Sequence, residues 1–172
     1  MALNELSEID ITASGDDFYE AIEKCKANWA LMDATGPFSA TVTLTAAQVL
    51  ALETTRIQVV AAPGSGLILE FVSAMLSFNY TADFTVTNAD NGFIIQYDNG
   101  VDVSESIDMN TFLEGSADAI RWMNPSSTAD KVLEGGINKK LEIFNEGTGD
   151  VADGTGSTVI VKVIYRVHST GL

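Results

Sequence analysis

The stretch STVIVKVIYRVH, Ser157 to His168, alternates residue by residue and decides the class of the fold. Val159, Val161, Val163, Tyr165 and Val167 fall on one side of an extended chain, and Thr158, Ile160, Lys162, Ile164, Arg166 and His168 fall on the other. Successive side chains of a strand point to opposite faces, and β-branched residues fit a pleated, half-buried surface. The first set is therefore expected in a core. The second holds Ile160 and Ile164, an apolar pair on an otherwise polar face. Two covers fit that pair: a neighbouring subunit, or the chain's own helix.

Working upstream, the acidic glycine loop Glu146 to Gly156 leads back to a strand over Lys140–Phe144. The longest strand is predicted over LILEFVSAMLSFNY, Leu67 to Tyr80. Its first half, to Phe71, is apolar on both faces apart from Glu70. Beyond that, Val72, Ala74, Leu76, Phe78 and Tyr80 share one face and Ser73, Ser77 and Asn79 the other, as in a strand running out from under a neighbour. Earlier, Val42 and Leu44 alternate with Thr41, Thr43 and Thr45. Thr45-Ala46-Ala47-Gln48 has the form of a capping box, which predicts one or two helical turns through Val49, Leu50 and Leu52. Ile57, Val59 and Ala61 resume the strand pattern until the turn Pro63–Gly66.

Shorter strands are predicted at Phe84–Thr87, Phe93–Tyr97 and Val101–Ser104. Asn91-Gly92 and Asn99-Gly100 lie between them, and Asn-Gly favours a hairpin because both central residues of a type I′ turn need positive φ. Between Ile107 and Gly136 the pattern is weaker. There Phe112 and Leu113 read as a helical turn closed by Gly115, and Ile120, Trp122 and Met123 as strand. Many short strands separated by turns, with no fixed-period repeat, give a mainly β fold of the β-sandwich or jelly-roll kind.

The opening of the chain differs. After an arm, Met1 to Ala13, Ser14-Gly15-Asp16-Asp17 reads as a helix start, with acidic groups at the positive end of the macrodipole. Phe18, Ile22, Cys25 and Trp29 then form the stripe of one amphipathic helix of about four turns, which Gly36-Pro37 stops. The organisation expected is an N-terminal arm and helix over residues 1–36 and a β-sandwich domain over 37–172. The helix packs on its own domain or on a neighbour; both readings fit.

Bulk properties narrow the function. A length of 172 residues, 46% apolar with mean hydropathy +0.16, suits one buried core. No apolar run reaches the roughly 18–20 residues that span a bilayer. Met1 to Ile11 carries Glu5, Glu8 and Asp10 and no basic residue, unlike a secretory signal, so synthesis in the cytoplasm is expected. Nine basic against 24 acidic residues give a net charge of −15. That balance speaks against a nucleic-acid or anionic-membrane partner, whose affinity comes from Lys and Arg. It favours solubility and, as the narrower reading, a basic partner surface.

Chemistry-bearing constellations are thin. A Ser-His-acid triad would need His168, the sole histidine, which reads as a polar surface residue on the outer face of the last strand; one His and one Cys, Cys25, give no His- or thiolate-rich metal site. Cys25 reads as a small core residue. Glu70, set in an apolar strand, reads as edge-facing or salt-bridged, with Arg56 or Arg121 as partner. Asp150-x-x-Asp153-Gly154 and Asn88-x-Asp90-Asn91-Gly92 offer oxygen ligands of the calcium type but lack the EF-hand spacing and read as acidic turns. Gly64-Ser65-Gly66 and Gly147-x-Gly149 lack the Lys-Ser/Thr of a phosphate loop. The expectation is a protein that is not an enzyme and holds no cofactor.

The run Thr41 to Leu52, VVAAPGSG from Val59 to Gly66, and the long strand to Tyr80 resemble small β-sandwich virion structural proteins of tailed bacteriophages. The end adds to this, with Asn138-Lys139-Lys140-Leu141 leading through a strand and the acidic loop to Val161–Val167. The resemblance covers roughly residues 40 to 168, omits the N-terminal helix, and rests on structural patterns. It implies a capsid decoration (cement) protein, a homotrimer whose partners are itself and the major capsid protein, made in the host cytoplasm and located in the virion. Phe18, Ile22 and Trp29 on the helix and Ile160 and Ile164 on the last strand are the contacts expected. A tail- or fibre-associated host-contact protein is the alternative within the class; the compact length favours decoration. A carbohydrate- or calcium-binding β-sandwich module is the alternative of another class, and predicts a concave acidic-aromatic pocket.

Overall fold

The two stretches that alternate most clearly lie side by side. β3 (Leu67–Asn79) and β10 (Thr158–Ser169) pair antiparallel along their whole lengths, from Asn79 opposite Thr158 to Leu67 opposite Ser169. The structure is a computed structural model and describes residues 36–88, 90–127, 133–148 and 151–171. The expected arm and helix, with Phe18, Ile22 and Trp29, lie outside the described residues.

β1 (Phe38–Thr45) flanks β10, and β7 (Ala119–Met123) flanks β3, giving a sheet in the order β1-β10-β3-β7. The second sheet runs β2-β8-β5-β6, from Ile57–Val60, Leu141–Asn145, Gly92–Tyr97 and Ile107–Asp108 respectively. A small pair, β4 (Phe84–Val86) with β9 (Val151–Asp153), lies on the connections after β3 and before β10. All of these strand pairings are antiparallel. With β4 and β9 set aside, the chain visits the sheets in the order first, second, first, second, second, first, second, first. That is the double Greek-key path of a jelly roll.

The inward faces meet in one core. Val159, Val161 and Val163 are fully buried, as their alternation predicts, together with Leu44, Leu76 and Phe78 from the same sheet and Phe93, Ile95, Leu141 and Ile143 from the other. Phe78 packs its ring 6.0 Å from both Phe84 and Phe112, and Phe112 stands edge-on to Phe93 at 6.1 Å, so aromatic contacts bridge the two sheets. Side chains fill the interior.

Local chemistry sets the short helices. Thr45 Oγ1 accepts from the Gln48 N–H, and the Thr45 N–H donates to Gln48 Oε1 at 2.9 Å, the two bonds of a capping box that starts helix Ala46–Leu50. Helix Met109–Leu113 is capped by Asp108, whose Oδ1 accepts from the Asn110 N–H at 2.8 Å, and it buries Met109, Phe112 and Leu113.

Four local expectations are corrected. The pairing steps from Ser73 opposite Ile164 to Phe71 opposite Tyr165, so Val72 is the extra residue of a β-bulge. The buried set on β3 is consequently Leu69 and Phe71, then Ala74, Leu76 and Phe78, rather than one continuous alternation through Val72. Asn91-Gly92 closes no hairpin, because β4 pairs with β9 and not with β5. Val101–Ser104 is no strand: isolated bridges join Asp102 to Gln96 and Ser104 to Pro125. At Asn99-Gly100 the chain does turn, with Gly100 alone at positive φ (85°), so the turn is not type I′.

Candidate functional site

The register places residues of the first sheet's outer face in rows. Thr43, Ile160, Ser77 and Ile120 form one row across β1, β10, β3 and β7. Thr41, Lys162, Met75 and Trp122 form the next, and Ser39, Ile164 and Ser73 a third. Rows two residues apart on one face lie within side-chain reach of one another, so these apolar groups make one surface. Trp122 is 66% exposed and Ile120 54%. Met75, Ile160 and Ile164 are half-buried. Ile160 and Ile164 thus point outward, as their alternation predicts. Ile120 and Trp122 were legible as strand residues, but their place beside Met75 and Ile160 was not, because it depends on β7 pairing with β3.

Charge singles out this surface. Phe38–Thr45, Ser73–Asn79, Ala119–Met123 and Thr158–Ser169 contain no Asp or Glu, in a chain whose net charge is −15. Lys162 stands exposed in the middle row. The one carboxylate on the four strands, Glu70, lies beyond the bulge. It accepts from Arg166 Nη1 at 3.2 Å and bonds His168 Nε2 at 2.8 Å. The His168 hydrogen bond holds Glu70 below the usual carboxylate range, with Arg166 adding to it and partial desolvation opposing. Glu70 is therefore salt-bridged, but to neither of the expected arginines. Arg56 stacks over the Phe144 ring and Arg121 over Phe112.

Where β3 runs past the end of β7, a groove of about 580 Å³ is lined by Ile68, Phe71, Tyr97, Val103, Pro125 and His168, among others. Tyr97 closes part of it by donating its hydroxyl to the Leu69 carbonyl. Asp153 Oδ2 accepts from Thr85 Oγ1 at 2.8 Å, and Asn88 Oδ1 accepts from the Asp90 N–H; Asp150 lies outside the described residues. Among the described residues, no group of three or more His, Cys, Asp or Glu side chains is arranged to hold a metal ion.

No protein-family model and no curated protein matches the sequence. Among solved structures the chain is similar to one from the cyanophage Pam1 capsid asymmetric unit, with 14% identity, 92% of this chain and 94% of that chain covered, and a TM-score of 0.43.

Proposed function

We propose that the chain is a structural component of a bacteriophage particle, a capsid decoration (cement) protein that binds the outer shell as a homotrimer and stabilises the head. The observation that carries this reading is a jelly roll filled by its own side chains, with an outward sheet face that groups Met75, Ile120, Trp122, Ile160 and Ile164 and whose single carboxylate, Glu70, lies beyond the bulge. Such a molecule works through surfaces rather than through turnover. Its partners are further copies of itself and the major capsid protein, and it resides in the virion. Phe18, Ile22 and Trp29 of the N-terminal segment and Ile160 and Ile164 of β10 serve as contacts. Linking several shell subunits at once makes the individual contacts fail together, which strengthens the shell beyond any single contact.

The test is co-sedimentation of the purified protein with undecorated phage shells, followed by heating. Binding at a fixed copy number, with rupture of the decorated shell at a higher temperature, is the outcome expected. Absence of binding at micromolar concentration, together with a melting temperature raised by calcium or a glycan, would replace this reading with a ligand-binding module.

A further inference from the structure

We infer that the outward face of β1-β10-β3-β7, centred on Met75, Trp122 and Lys162, receives the acid-bearing edge of a second copy of this chain in a head-to-tail contact. The inference rests on the self-association in the reading above and names the surfaces that join the copies.

The argument is one of charge. Each copy carries −15, so two copies repel unless the surfaces that meet are arranged against it. The β1-β10-β3-β7 face offers apolar side chains and an exposed ammonium, with no carboxylate in the strand segments that form it. Beside the β5–β6 end of the second sheet, Asp90, Asp108 and Glu146 are exposed and line one depression. Face-to-face docking about a two-fold axis would bring cationic face against cationic face and leave the acidic edge unused. Docking the face of one copy on the acidic edge of the next sets Lys162 against carboxylates and covers Trp122 and Ile120. Contacts between unlike surfaces of identical chains close rings when the rotation permits, and a trimer is such a ring.

Area sets the strength. Four strands about 4.8 Å apart and about five residues long at about 3.3 Å per residue span roughly 300 Å². Stable complexes bury about 800 Å² per partner, so this contact alone dissociates on dilution, and a closed ring, with two contacts per copy, resists it better.

Light scattering over a dilution series tests this on the full chain, its Trp122→Glu and Lys162→Glu variants, and the double variant Asp90→Lys, Glu146→Lys. The wild type is expected at about three chains at high concentration and each variant at about one, all with the same far-UV circular dichroism because the altered side chains are exposed. Should a variant lose that signal, Ile120→Glu replaces it as the probe of the face. A wild type that stays monomeric throughout overturns the self-association and this inference together. An associating wild type whose Trp122→Glu and Lys162→Glu variants keep its mass overturns the face alone. Unchanged mass in the double acidic variant overturns the head-to-tail mate.

Discussion

Asn145 donates its side-chain amide to Asn91 Oδ1 at 2.9 Å, while its own Oδ1 accepts the N–H groups of Gly92 and Gly147 at 3.0 Å each. Both asparagines are 1% exposed, so the end of β8 is locked to the start of β5 out of reach of solvent. Replacing Asn145 by Ala strands two buried donors and one buried acceptor. A buried group left unsatisfied costs about 1–3 kcal/mol, so a loss of about 3 kcal/mol or more is expected for the three together. Urea unfolding reads it as a lower midpoint with an unchanged slope; a loss under about 1 kcal/mol contradicts the role.

Phe78 is fully buried and touches the rings of Tyr80, Phe84 and Phe112. Truncation to Ala at such a site removes apolar burial and leaves a cavity, at about 3–5 kcal/mol. Ile120→Ala on the exposed face of β7 is the contrast and should stay within about 0.5 kcal/mol for the monomer. Equal losses for the two in a denaturant titration would mean that the core is not where the aromatic contacts place it.

Gly154 sits at φ 71°, and a Cβ there would come within 2.2 Å of the Phe84 ring. Gly154→Ala therefore meets both backbone strain and a steric clash with a buried ring. A loss of about 1–3 kcal/mol is expected, seen as a lowered thermal midpoint. Were the variant as stable as the wild type, the β9–β10 turn would have to adopt another path.

Glu70 supplies a pH dependence with a defined sign. Its folded pKa is lowered from 4.5, so its contribution is present above that value and is lost as pH falls through the lower folded value. The side chain is 44% exposed, and solvent screening limits the contribution to under about 1 kcal/mol. Thermal melts of the wild type and Glu70→Gln should differ slightly near neutral pH and converge in acid. A difference that grows on acidification contradicts the assignment.

The sequence by itself determined the features that arise within a few residues. Strand alternation assigns a face to Val161 or Ile160 without reference to any partner, because it follows from the geometry of one extended chain. The capping box at Thr45 and Gln48 is likewise closed between residues three apart. Composition and charge are additive over the chain and need no fold.

Tertiary structure decided everything that depends on which strands are neighbours. Glu70 pairs with Arg166 and His168, 96 and 98 residues away, and no local pattern distinguishes them from Arg56 or Arg121. The bulge at Val72, the isolation of β4 from β5, and the joining of Trp122 to Met75 and Lys162 are of the same kind. Sheet pairing is made by backbone N–H and C=O groups that are alike at nearly every residue. Its register is fixed only when both sheets bury their inward faces against each other, and that is a property of the whole domain.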